Sequence, residues 1–132
     1  MPNAHHASGP FEVKLAKQEP EAASPALGRM TIDKVFHGDL EAVSKGQMLA
    51  AGTTTKGSAG YVAMEIVDGK LAGLTGTFVL QHSGTMDRGK PTLSVTVVPD
   101  SGTGELVGLT GKMGIRIESG GKHFYDFDYQ IL

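Results

Sequence analysis

Apolar and polar residues alternate in short runs along this chain. The first run places Phe11, Val13 and Leu15 between polar or small residues. Side chains of a strand point alternately to its two faces, so this pattern predicts strands with one buried and one solvated face. Such strands are typical of antiparallel sheets. Four later runs repeat the pattern with the apolar residues Phe78 and Leu80; Leu93, Val95 and Val97; Met113, Ile115 and Ile117; and Tyr125, Phe127 and Tyr129.

Glycine and proline interrupt the chain at intervals that suit strands. There are 19 Gly and 6 Pro in 132 residues, and the longest segment without either is Lys122–Leu132. Both residues disfavour helix interiors, so long helices have no room to form. We therefore predict an all-β fold of seven or eight strands. An even-numbered antiparallel meander of this size can close into a barrel of about eight strands, which leaves no sheet edge exposed.

An internal repeat supports a regular order of strands. The segment Gly69–Gly76 (GKLAGLTG) recurs 35 residues later as Gly104–Gly111 (GELVGLTG), with six of eight positions identical. A strand follows each copy, so both turns are expected at one end of the domain. The repeat also aligns His82 with Ile117. A weaker third copy places Gly38 in line with the central glycine of each octapeptide.

Length and composition limit the organisation and the partners of the chain. We expect a flexible tail over residues 1–10, a single barrel domain over residues 11–132 and a loop over Gln18–Leu27. The formal charge is −2 without a basic cluster, which disfavours nucleic-acid binding. No apolar run could span a membrane and no signal peptide is recognisable, so a cytoplasmic location is the default expectation. The chain has no Cys, which excludes thiolate chemistry and disulfides.

Several strings together resemble a known family. They are LAGLTGTFVLQHSG at 71–84, VPDSGTGELVGLTG at 98–111, FHGDLE at 36–41 and FYDFDYQI at 124–131. They are similar to an uncharacterised bacterial family of unknown function within the allene oxide cyclase-like barrels. The resemblance implies an eight-stranded barrel whose distant relatives hold lipophilic molecules and form oligomers. It carries no activity to this chain, because fold does not imply function.

Four residues are candidates for a ligand site. His82 shares a face with Phe78 and Leu80, so it is expected inside the barrel, where an imidazole can serve as acid, base or hydrogen-bond donor. Tyr125 and Tyr129 share the apolar face of the last strand. Glu65 is expected to face outward, because alternation places its neighbours Val62, Met64 and Ile66 on the apolar face; an inward Glu65 would be a partner for His82.

The sequence gives less support for a metal site or a nucleotide-binding site. Lys34 interrupts the apolar positions of its strand, which predicts a bulge or a side chain that reaches back to water. His37, His82 and His123 show no spacing typical of a metal site. The glycine-rich segments do not complete a phosphate-binding or dinucleotide-binding motif. We expect no metal and no cofactor.

Three functions remain open at this stage. The leading hypothesis is a barrel that binds a small lipophilic molecule in its lumen. The second is a cyclase-type or isomerase-type enzyme with His82 as acid or base, which requires another polar group facing the same cavity. The third is a filled barrel that acts only through assembly. A homodimer or homotrimer is expected, since Val35, Val79 and Val98 lie on nominally solvated faces.

Overall fold

The computed structural model describes residues 4–17 and 27–132, which form one closed antiparallel barrel of eight strands. The strands follow each other around the barrel in chain order, and the last one pairs with the first. This confirms the predicted all-β fold. No helix long and apolar enough to cross a membrane occurs in the described segments. The strands are β1 (His5–Lys17), β2 (Leu27–Phe36), β3 (Leu40–Gly52), β4 (Ala59–Leu71), β5 (Leu74–Asp87), β6 (Lys90–Val97), β7 (Leu109–Glu118) and β8 (Lys122–Ile131).

The first strand begins earlier than the sequence suggested. Residues 5–10 belong to β1 and pair with β8, from His5 opposite Tyr129 to Phe11 opposite His123. The predicted flexible tail over residues 1–10 is therefore wrong for residues 5–10. This segment shows no alternation of its own, and its partner lies at the other end of the chain. Residues 1–3 and positions 18–26 of the predicted loop lie outside the described residues.

One end of the barrel is closed by leucines. Three connections meet there: β2 to β3, β4 to β5 and β6 to β7. Gly38, Gly73 and Gly108 lie in these connections, each with a φ between 85° and 93°, which a glycine adopts without steric cost. The buried side chains beside the turns belong to Leu40, Leu71, Leu106 and Leu109. Both octapeptides thus supply leucines to the same closed end, as expected.

Aromatic side chains fill the barrel next to the closed end. Phe78 and Phe127 stack with ring centroids 5.9 Å apart, and Phe127 stacks on Tyr129. Tyr125 is fully buried, and its hydroxyl donates to the carbonyl of His37 at 2.7 Å. The same hydroxyl accepts a hydrogen bond from the amide of Leu40 at 2.8 Å. The core is therefore packed in this half of the barrel, and the turn after β2 is attached to it.

The two faces of β4 are opposite to those predicted. Val62, Met64 and Ile66 point outward and are about half exposed, whereas Ala63 and Glu65 are buried inside. The register with β5 explains this arrangement. The hairpin places Glu65 opposite Leu80, and Leu80 is a core residue. Directly paired residues of neighbouring strands share a face, so Glu65 must also point inward.

The barrel is least continuous between β6 and β7. These strands pair only at Thr96 and Lys112, whereas every other neighbouring pair of strands is joined over at least seven residues. The long connection from β6 to β7 compensates at the closed end. Thr103 donates its amide to Thr77 of β5, and Ser101 accepts the amide of Val79. Towards the open end, no segment among the described residues bridges the two strands in this way.

We predict that hydrogen exchange will be uneven around the barrel. Amides of β6 and β7 that point across their shared seam should exchange faster than amides of β4, because few backbone hydrogen bonds protect them. Exchange measured by NMR at single-residue resolution checks this. Equal protection along β4 and along the seam would contradict a locally open barrel wall.

Candidate functional site

The open half of the barrel contains a cavity of about 500 Å³. Apolar side chains from seven strands, β1 to β7, form most of its wall, and the cavity opens at the end opposite the leucines. Polar side chains also reach it: Lys34, Tyr61 and His82, together with Thr85, Thr92 and His123. The apolar wall residues are Phe11, Val13, Leu15, Ile32, Met48, Ala50, Ala59, Met86, Pro91, Leu93, Ile115 and Ile117.

A buried carboxylate connects the deepest polar groups. One oxygen of Glu65, Oε2, lies 2.9 Å from Lys34 Nζ and 2.9 Å from His82 Nε2. Its other oxygen accepts a hydrogen bond from Ser44 Oγ at 3.3 Å. All four residues are buried. Glu65 therefore has partners on both oxygens, as a buried charge requires.

Tyr61 extends this network towards the cavity. Its hydroxyl lies 3.3 Å from His82 Nδ1, on the side of the ring opposite Glu65. A carboxylate only accepts hydrogen bonds, so His82 Nε2 must carry a proton. In the neutral ring Nδ1 is then an acceptor, and Tyr61 donates to it. Tyr61 thus contacts His82, and His82 contacts Glu65. Lys34 contacts the same oxygen of Glu65 as His82 does.

Small residues on the neighbouring strands make room for these side chains. A Cβ at Gly84 would overlap the Tyr61 ring, and a Cβ at Gly46 would overlap the backbone and Cβ of Glu65. Gly84 lies directly opposite Tyr61, and Gly46 directly opposite Glu65. Glycine at these two positions is thus required for the close approach of the side chains across the sheet.

Lys34 lies among aromatic rings rather than in water. Its Nζ is 5.2 Å from the centroid of Phe11 and 5.7 Å from that of Phe36, distances at which a cation is attracted to a ring face. The expected bulge or water-seeking side chain is wrong here, because β2 pairs continuously through Lys34 and the residue is buried. Its charge is balanced inside the barrel by Glu65.

The environment shifts the pKa values of two site residues. Burial by itself would raise the pKa of Glu65, but the hydrogen bond from His82 and the charge of Lys34 outweigh it, so this pKa lies below its ordinary value. Burial raises the pKa of Tyr61, and the negative charge of Glu65 raises it further. Glu65 is therefore a carboxylate at neutral pH, and Tyr61 keeps its proton.

Only two of the four predicted ligand-site residues, His82 and Glu65, contact each other in the structure. His82 is interior, as predicted, and Glu65 contacts it; the preference for an outward Glu65 was wrong. Tyr125 and Tyr129 lie in the packed half and do not line the cavity. Ile117, the repeat equivalent of His82, also faces the cavity but is 68% exposed at its rim.

Sequence reasoning missed Lys34, Tyr61 and Ser44 as members of the site. Each lies on a different strand, and no local spacing links them. One signal was available: Lys34 and Glu65 are both charged residues within otherwise apolar interior positions. Two such residues of opposite sign in one small barrel are candidates for a buried pair.

The three strand histidines do not meet. His37 lies at the closed-end turn and bonds to exposed Glu12 at 2.8 Å, whereas His123 lies at the rim of the cavity. Within residues 4–17 and 27–132 no group of three residues could hold a metal ion.

We predict that Glu65→Gln will destabilise the barrel by about 3–5 kcal/mol at neutral pH, because it leaves the Lys34 cation buried without a counter-charge. Unfolding in urea measures this. Glu12→Gln is the control, since it removes an exposed carboxylate that also bonds to a histidine. The double variant Lys34→Met, Glu65→Gln should recover much of the loss. If Glu65→Gln is as stable as the control, the pair is not important for folding.

The same variant should change the pH dependence. The pKa of Glu65 is lower in the folded state than in the unfolded state, so its contribution is complete above the unfolded value and is lost as the pH falls through the folded value. The difference in unfolding free energy between wild type and Glu65→Gln should therefore shrink on acidification. A difference that stays constant down to acidic pH would contradict the lowered pKa.

Comparisons with known proteins place this architecture in a family. No curated protein matches the chain. One solved structure is 50% identical and covers 98% of both chains, with a TM-score of 0.93; it is the crystal structure of a protein with unknown function from the DUF3224 family of Shewanella oneidensis MR-1. The family model described as "Protein of unknown function (DUF3224)" matches residues 7–129. The chain belongs to this family.

Proposed function

We propose that this barrel binds a small, mostly apolar molecule in its open half, with one polar group of the ligand facing Lys34, Tyr61 and His82. The observation that carries the proposal is the cavity itself. Its volume of about 500 Å³ lies within the range of small-molecule sites. Its wall is largely apolar, with a few polar side chains close together at depth, and this is the usual composition of a pocket that orients its ligand.

The polar end of the site favours a ligand with an oxygen acceptor. Lys34 Nζ carries three donors, and one of them is used on Glu65. The Tyr61 hydroxyl can turn from His82 towards a ligand. A carbonyl or hydroxyl oxygen of the ligand would accept a hydrogen bond from one of these two donors. The ligand's apolar part would replace water along Phe11, Ile32 and Leu93, which is favourable in proportion to the area buried.

The resemblance to allene oxide cyclase-like barrels supports the same conclusion. Distant relatives in that group hold lipophilic molecules inside the barrel, and the strings of this chain resemble an uncharacterised family within the group. A barrel used only for assembly would be expected to fill its interior with side chains. Among the described residues, the leucines and aromatic rings fill one half of the barrel, and the other half contains the cavity.

We predict that the fluorescent probe 1-anilinonaphthalene-8-sulfonate, which joins apolar aromatic rings to one sulfonate, will bind to the folded protein, and that Ala50→Phe will abolish binding by filling the cavity. Ala50 lines the cavity wall. Leu49→Phe is the matched control, because Leu49 is the adjacent residue on β3 and faces outward. Fluorescence titration measures the affinity, and circular dichroism verifies that both variants fold. Equal binding by the two variants would show that the probe does not occupy the cavity.

The expected homodimer or homotrimer stays a prediction, and the outer face of β4 is the surface on which it can be tested. Val62, Met64 and Ile66 are 54%, 48% and 58% exposed on three successive outward positions, and Val43 of β3 lies near them. Contiguous exposed apolar residues favour contact with another surface. Sedimentation equilibrium should show an oligomer for wild type and a shift towards monomer for Ile66→Lys. A wild type that is purely monomeric would contradict the prediction.

A further inference from the structure

We propose that Tyr61, His82 and Glu65 form an acid–base relay that removes and returns a proton beside the carbonyl group of a bound enolisable ketone or aldehyde. This inference rests on the proposed binding function and adds a reaction to it. It assigns a role to Tyr61, which contacts both the cavity and His82.

The contacts define where protons lie before reaction. Glu65 is a carboxylate, and its Oε2 accepts the Nε2 proton of His82 at 2.9 Å. His82 Nδ1 therefore presents its lone pair towards Tyr61 and the cavity. General-base catalysis uses a histidine that a carboxylate holds on one side and that has an acceptor nitrogen on the other, because the carboxylate orients the ring and stabilises the imidazolium that forms.

The hydrogen bond between Tyr61 and His82 can be exchanged for bonds to a ligand. Its length of 3.3 Å is at the long end for a hydroxyl donor, so little energy is lost when the hydroxyl turns away. A carbonyl oxygen and the adjacent α-carbon are separated by one atom. Two protein atoms 3.3 Å apart can therefore contact both at once, with Tyr61 on the oxygen and His82 Nδ1 on the α-hydrogen.

The proton transfer balances without any further reactant. The C–H bond at the α-carbon breaks, its proton passes to His82 Nδ1, and its electron pair forms the C=C bond of the enolate. The former C=O electron pair moves to the oxygen, which accepts a hydrogen bond from the Tyr61 hydroxyl. Return of a proton from His82 to the same carbon restores the ketone. Its return to a conjugated carbon further along the ligand would give an isomer.

The surroundings favour this reaction over a purely structural network. Lys34 and Ser44 contact one oxygen of Glu65 each, so both oxygens have a partner besides His82. Replacing such a buried polar cluster by apolar residues is often neutral or stabilising. The apolar wall also excludes water, and charge–dipole interactions inside it are stronger than in solution.

The test follows exchange of α-hydrogens for deuterium in 4-phenylbutan-2-one, an apolar ketone of suitable size, by proton NMR in D₂O. Wild type should accelerate exchange over buffer. His82→Gln keeps a donor for Glu65 but accepts no proton, and Tyr61→Phe removes only the hydroxyl. Each should lower the exchange rate by about tenfold or more. His37→Gln is the matched control, because His37 also bonds to a glutamate but lies outside the cavity on the surface.

Probe binding separates this inference from the function on which it rests. Binding of 1-anilinonaphthalene-8-sulfonate, and its displacement by the ketone, are measured for every variant. Displacement without accelerated exchange by wild type would overturn the relay and leave the binding function intact. Exchange that persists unchanged in His82→Gln would also overturn it. Absence of both binding and exchange would overturn both proposals.

Discussion

The buried contact between Lys34 and Glu65 determines how the open half of this barrel is organised. Two opposite charges inside a protein are costly to desolvate, and they persist only when geometry and further hydrogen bonds compensate. Here the amine and carboxylate are 2.9 Å apart, and His82 and Ser44 complete the coordination of Glu65. The pair spans β2 and β4, and Ser44 comes from β3 between them. Three neighbouring strands are thus held in one register by polar contacts that tolerate no slip.

The two halves of the barrel differ in how their interiors are packed. The closed half is packed with leucines and stacked aromatic rings, which supply the apolar burial that a domain of this size needs. The open half buries less apolar surface, because its side chains surround a cavity. The polar network lies at the boundary between the halves. A ligand that enters the cavity therefore meets apolar walls first and the charged groups last.

Much of the fold could be predicted from the sequence, whereas most of the site could not. Alternation located the inward faces of β1, β5, β6, β7 and β8 correctly, because most apolar residues of each strand lie on one face. It failed on β4, where Val62, Met64 and Ile66 are apolar but face outward. The two-residue turn at Ala72–Gly73 fixes the register between β4 and β5 and thereby the inward face of β4. Counting across it places Glu65 opposite Leu80, a residue whose inward direction was predicted.

By itself the sequence determined the class of the fold, the order of its strands, the glycine turns of the closed end and the interior position of His82. These follow from local rules: the period of a strand, the freedom of glycine and the parity of a hairpin. Only the tertiary structure decided which polar residues meet. Lys34, Ser44, Tyr61, Glu65 and His82 lie on the four consecutive strands β2 to β5, and the pairing of these strands brings them together. Their contacts depend on register and curvature across the sheet, which no local pattern encodes.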